Sequence, residues 1–138
     1  MRRIFARLRR DNKGIAAVEF AIIAPVLILM IIGVYQMGSL FHARAVLSNA
    51  VSEGARFATI FPRPTSAQIV ARVVEHAPAS AGTAAFSTPT AVFTQNTATS
   101  TWYVDVTMTY TKTLNFIFFS YPVTLDYSRR ANVYPPPT

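Results

Sequence analysis

The stretch IAAVEFAIIAPVLILMIIGV, Ile15 to Val34, decides how this chain is built. It is apolar on every helical face and carries one charge, Glu19, near its start. About 20 residues rising about 1.5 Å each reach across a hydrocarbon core of about 30 Å, so the stretch predicts one membrane-spanning helix. A soluble core helix rarely stays apolar all round over that length. Upstream, Arg2, Arg3, Arg7, Arg9, Arg10 and Lys13 oppose only Asp11. Short flanks rich in Arg and Lys stay on the cytoplasmic side, so the N-terminus is expected inside and the chain beyond about Tyr35 outside.

The chain has 138 residues and a formal charge of +7, with about half of its Lys and Arg in the basic leader. The high charge is therefore largely a signal for membrane orientation. Nucleic-acid binding needs a basic face with polar or aromatic readers on a folded module, and beyond Lys13 the basic residues are scattered singly apart from Arg129 and Arg130. No nucleic-acid partner is expected. Cysteine is absent, which removes disulfides, thiolate catalysis and zinc–thiolate sites together. His42 and His76 have no carboxylate at metal-ligand spacing, and no Ser or Thr sits in a nucleophile elbow. No catalytic residue, cofactor site or metal site is assigned.

Working outward, Asp11 to Gly14 forms a polar junction before the helix. Pro25 removes one backbone hydrogen bond within the span and is expected to kink or loosen it near Ala21 and Ile22. Beyond the span, Leu40, Leu47, Val51, Gly54 and Ala58 recur at helical spacing among polar residues, which predicts an amphipathic continuation. The helix is expected to reach about Ile60, a rod of about 70 Å, and to stop before Pro62 and Pro64. Ala43, Ala45, Ala50, Gly54 and Ala55 would let another backbone approach closely. Thr65 and Gln68 have the form of a capping box opening a short helix that ends near His76.

Pro78 to Thr90 carries the composition of a surface loop. From Trp102 to Tyr110, alternate residues Trp102, Val104, Val106, Met108 and Tyr110 are apolar, with Asp105, Thr107 and Thr109 between them, the clearest strand in the chain. Thr90 to Thr94 and Val123 to Val133 are its expected partners, across turns at Gln95–Asn96 and Ser120–Pro122. The expected architecture is α+β: a leader over 1–14, a transmembrane helix over 15–37, an amphipathic extension over 38–61, and a small extracytoplasmic α+β domain with a short helix and an antiparallel sheet over 62–138. An exposed Phe116–Phe119 run would be an interaction patch rather than core.

Gly14 followed by Ile15, Ala16, Ala17, Val18, Glu19 and Phe20 resembles the cleavage site of type IV prepilin-like proteins. More widely, Ala17-Val18-Glu19-Phe20-Ala21 through Pro25 and Leu27, then Gly33, Gly38, Ala50 and Glu53-Gly54-Ala55-Arg56, is similar to the TadE-like family of pseudopilins in tight-adherence (Flp-type) pilus systems. The resemblance spans about Gly14 to Ala58, and the region beyond it fits TadE-like and TadF-like members alike. It implies a non-enzymatic minor pilin or pseudopilin, anchored once in a bacterial inner membrane. A membrane-embedded prepilin peptidase would cut between Gly14 and Ile15, and Glu19 and Phe20 would serve assembly or recognition. Other pilins, pseudopilins and assembly machinery would be the partners, besides the lipid bilayer. Many relatives would carry an acid where this chain has Gln36.

After such a cut the new amine of Ile15 would lie about 6 Å along the axis from Glu19, one helical turn away. A charged carboxylate in hydrocarbon costs about 3 kcal/mol, so a pairing with that amine, within one chain or between staggered neighbours, would favour ordered stacking. A shallow Glu19 reaching the interface is the plainer alternative. Gly54 and Ala55 are read as helix-packing positions, and Glu53 and Arg56 as a weak surface pair. Two other readings of the whole chain stay open. One is a secreted domain with a signal peptide cut after Ala43 or Ala45, although the apolar run exceeds the usual length of about 7 to 15 residues. The other is an envelope domain permanently anchored and never cut at Gly14.

Overall fold

The computed structural model describes residues 13–77 and 84–135. Most of the basic leader, part of the loop beginning at Pro78, and the final prolines lie outside the described residues. Helix α1 runs unbroken over Lys13–Phe57, straight through Pro25. Helix α2 covers Ser66–His76, and four strands follow: β1 (Ala84–Phe86), β2 (Thr90–Asn96), β3 (Thr101–Asn115) and β4 (Ser120–Val133). The fold class is α+β, as the sequence predicts.

Strand β3 is the spine of the sheet. From its second residue on it pairs antiparallel with β4, Trp102 opposite Val133 through to Asn115 opposite Ser120. Both β1 and β2 also pair antiparallel with β3, at Tyr110–Lys112 and Thr101–Thr107 respectively, so they share its other edge. Between them Ser87 keeps contact with β3: its amide donates to Thr109 O at 2.8 Å and its hydroxyl accepts from Thr109 N at 2.9 Å. They amount to one strand interrupted around Pro89.

Alternation along β3 turns Val104, Val106, Met108 and Tyr110 to one face, where all four are buried. Helices α1 and α2 cover that face. Leu47, Val51, Ile69, Val73, Val104 and Val106 are the largest fully buried side chains, each worth about 1.5–3 kcal/mol of transfer from water. On α1 the buried positions Ala43, Leu47, Ala50 and Gly54 keep helical spacing, with Ala58 buried just past its end, and the small ones admit α2 and the sheet closely. The capping box is formed: Thr65 Oγ1 accepts from Gln68 N at 3.3 Å, and Gln68 Oε1 accepts from Thr65 N at 2.9 Å.

Several local expectations are corrected. Helix α1 ends at Phe57, short of Ile60, where turns lead into Phe61 and Pro62. Gln95 and Asn96 remain in β2, and the reversal falls at Thr97–Ser100, where Asn96 Oδ1 accepts from Ala98 N at 3.0 Å. The second reversal is Phe116–Phe119, not Ser120–Pro122; Pro122 stands opposite Thr113 in the ladder. That is permitted because β4 is an edge strand, where a missing N–H need not face a neighbour. Finally, the expected loop from Pro78 contains the short strand β1, held by its pairing with β3 despite an alanine-rich sequence.

Candidate functional site

Helix α1 has two halves with different surroundings. From Ile15 to Tyr35 no side chain is buried, and Phe20, Ile22, Val34 and Tyr35 are each more than two-thirds exposed. From Gln36 onward one face is buried by the head. The bare half is long and apolar enough to cross a membrane.

Gly14 and Ile15 lie in the first turn of α1 and are exposed, and a Cβ at Gly14 would meet nothing within 4 Å. Glu19 and Phe20 are exposed one turn later. These four residues form one local group on the bare rod. Gly54 and Ala55 are elsewhere, buried in the head about 50 Å farther along the axis. A Cβ at Gly54 would overlap Val73 Cγ2, and Ile69 Cγ2 and Val106 Cγ1 stand 3.7 and 3.6 Å from the same point. The close approach at Gly54 is thus to this chain's own α2 and sheet.

Around it the head is tied by charge. Arg56 donates to Glu53 through Nε at 2.9 Å and Nη2 at 2.8 Å, while Arg72 Nη2 reaches Glu53 Oε1 at 3.4 Å and Arg72 Nη1 reaches Glu75 Oε2 at 2.7 Å. The Arg56 hydrogen bonds, with Arg72 adding to them, hold the Glu53 carboxyl down to about 2. On the outer sheet face Arg130 grips Asp105 at 2.7 and 2.8 Å and lies 4.0 Å over the Tyr103 ring, and that grip holds the Asp105 carboxyl below its ordinary range. Hydrogen bonding with Ser48 and Ser52, and then Arg129, lowers the Tyr127 phenol and links β4 to α1. An open groove of about 760 Å³ lies beside this cluster, lined by Asn49, Ser52, Glu53, Arg56, His76 and Arg129 among others. Of the charged residues lining it, Glu53 is paired with Arg56, and Arg129 Nη1 donates to Ser52 Oγ at 3.2 Å. Among the described residues no group of three or more His, Asp or Glu could hold a metal ion.

The junction of head and rod is the arrangement that sequence reasoning missed. Gln36 is buried and its Nε2 donates to Asn115 O, while Ser39 Oγ donates to Gln36 O at 2.6 Å and accepts from Lys112 Nζ. With Val106 beside Gly54, these contacts show β3 running antiparallel to α1. The path from Val106 to Asn115 covers about 30 Å at strand rise, and that from Gly54 to Gln36 about 27 Å at helix rise, so the two elements keep step. The β3–β4 reversal therefore points back along the rod toward its bare half. Two long alternating segments around Phe-Ile-Phe-Phe were the available signal, but nothing local named the helix position beside them.

A bare apolar rod carrying a compact sheet-and-helix head on its distal half defines a class: α+β proteins built on one N-terminal helix compatible with a single membrane pass. Within it, residues 14–56 match the family model described as TadE-like protein. Comparisons with curated proteins and with solved structures each return no match.

Proposed function

We propose that this chain is a minor pilin or pseudopilin acting in assembly of a tight-adherence, Flp-type pilus, cut by a prepilin peptidase between Gly14 and Ile15. The observation that carries the reading is the coincidence of the TadE-like match at residues 14–56 with a helix whose first half is bare and apolar. The N-terminus lies in the cytoplasm, the helix crosses the inner membrane once, and the head stands outside. Gly14 offers the peptidase an unencumbered scissile position. Once the bond is cut, the Ile15 amine and the Glu19 carboxylate, one turn apart, neutralise each other in a medium that penalises either charge alone. Exposed Glu19 and Phe20 are then free to meet a neighbouring pilin helix. The protein performs no chemistry of its own and takes no cofactor.

A secretory cut after Ala43 or Ala45 is disfavoured, since it would remove Gln36, Ser39 and buried Ala43 from the head they pack with. The test is the mass of the chain purified from cells with and without an active prepilin peptidase. The expected product begins at Ile15 only when the peptidase is active; a chain that keeps its leader in both defeats the proposal.

A further inference from the structure

The hairpin tip between β3 and β4 is greasy, closed and bare. Phe116 N donates to Phe119 O at 2.8 Å, and the two rings stack with centroids 4.7 Å apart, so the reversal is a defined turn. Yet Ile117, Phe118, Phe119 and Tyr121 are 54, 77, 61 and 63 % exposed. No charged side chain occurs between Lys112 and Asp126. Four large apolar side chains together at a loop tip are a costly surface in water.

Its position suggests what covers it. The Gln36–Asn115 contact pins the base of the tip to α1 just past the end of the apolar run at Val34. Strand β3 descends toward the N-terminal half of α1, and the residues beyond Asn115 continue a few ångströms farther, to about the level of Val34 and Tyr35. The tip thus lies at about the level where the bare apolar half of α1 ends. A run from Ile15 to Val34 fills a hydrocarbon layer of about 30 Å, which puts Val34 at its outer boundary. Tyr35 and Tyr121 supply the aromatic rings that favour the headgroup level, and Lys112, held by Ser39, keeps its ammonium just above it.

We propose that Ile117, Phe118 and Phe119 insert into the outer leaflet beside the helix, at the boundary of headgroups and acyl chains. The head is then held to the bilayer at two points, which fixes its tilt and its rotation about the rod. This rests on the reading of Ile15–Val34 as a membrane span, and the experiment separates the two.

The full chain is reconstituted in phosphatidylcholine–phosphatidylglycerol vesicles with Trp102→Phe as background. Single reporters are placed by Phe118→Trp at the tip, Val26→Trp in the rod and Thr99→Trp at the far end of the head. Lipids carry nitroxide quenchers at shallow or deep acyl positions. The Phe118→Trp reporter is expected to emit to the blue and lose most of its emission to the shallow quencher. The Val26→Trp reporter should respond to the deep one, and the Thr99→Trp reporter only to aqueous iodide. Phe119→Trp repeats the tip measurement should the first variant misfold. A tip reporter that follows Thr99→Trp while Val26→Trp is quenched in the bilayer overturns the insertion and leaves the span intact. A Val26→Trp reporter untouched by either lipid overturns both. A tip shielded from iodide but indifferent to labelled lipid, and exposed on diluting protein in lipid, identifies a second copy as the cover and overturns the proposal.

Discussion

Gly54 on α1 stands against Val73 on α2 so closely that a Cβ at Gly54 would overlap Val73 Cγ2. Val73 is fully buried and β-branched, with Ile69 and Val106 beside it, so it has little room to turn away. Gly54→Ala is therefore expected to destabilise the head by about 1–3 kcal/mol, the usual cost of overpacking. Val73→Ala in the same chain should recover part of that loss, and a double-mutant cycle from urea unfolding in detergent measures the coupling. Additive effects would show that the two side chains do not compete for space.

Gln36 donates to the carbonyl of Asn115, and a carboxylate in its place would set acceptor against acceptor. Gln36→Glu is expected to cost about 1–3 kcal/mol at the junction and to free the tip. Amide hydrogen exchange should rise over Leu114–Tyr121 and stay unchanged at Val104 and Val106 in the middle of β3.

The Glu53 carboxyl is held down to about 2 by Arg56 and Arg72, so folding favours its ionised form. The sign follows: its contribution is fully present above the ordinary carboxylate range near pH 4.5 and is lost as pH falls toward 2. Asp105, lowered by Arg130, acts in the same direction. The urea midpoint of the wild-type head should fall over that window, and Glu53→Gln should flatten part of the fall. Because these groups face solvent, added salt should shrink the difference.

Glu19→Gln keeps side-chain size while removing the charge that would meet a freed Ile15 amine. Insertion, followed by membrane fractionation, is expected to persist while surface pili decline. Normal piliation in that variant would remove the pairing from the account.

What could be read without coordinates was periodic or local. Apolar residues at every second position marked β3, and Val104, Val106, Met108 and Tyr110 are indeed its buried face. Thr65 and Gln68 are three residues apart and cap α2 by bonds that need nothing distant. Reversals were harder. Asn96 has a turn-forming side chain, but pairing of Gln95 with Trp102 and of Asn96 with Thr101 keeps both in the ladder. Pro122 suggested a break that an edge strand does not require. Strand β1 was missed because Ala84 and Ala85 have little β preference and depend on β3 for their backbone partners.

The order of residues by itself determined the rod: a long apolar run needs no tertiary partner to become helical in lipid, and the motif from Gly14 to Phe20 is contained within two turns of it. Only the folded head decided where β3 lies against α1. Gln36 and Asn115 are 79 positions apart, and their meeting depends on packing at Gly54, Val73 and Val106 that sets the slide of sheet along helix. That slide carries the Phe116–Phe119 tip to the end of the bare apolar half of α1, and no periodicity in either segment encodes it.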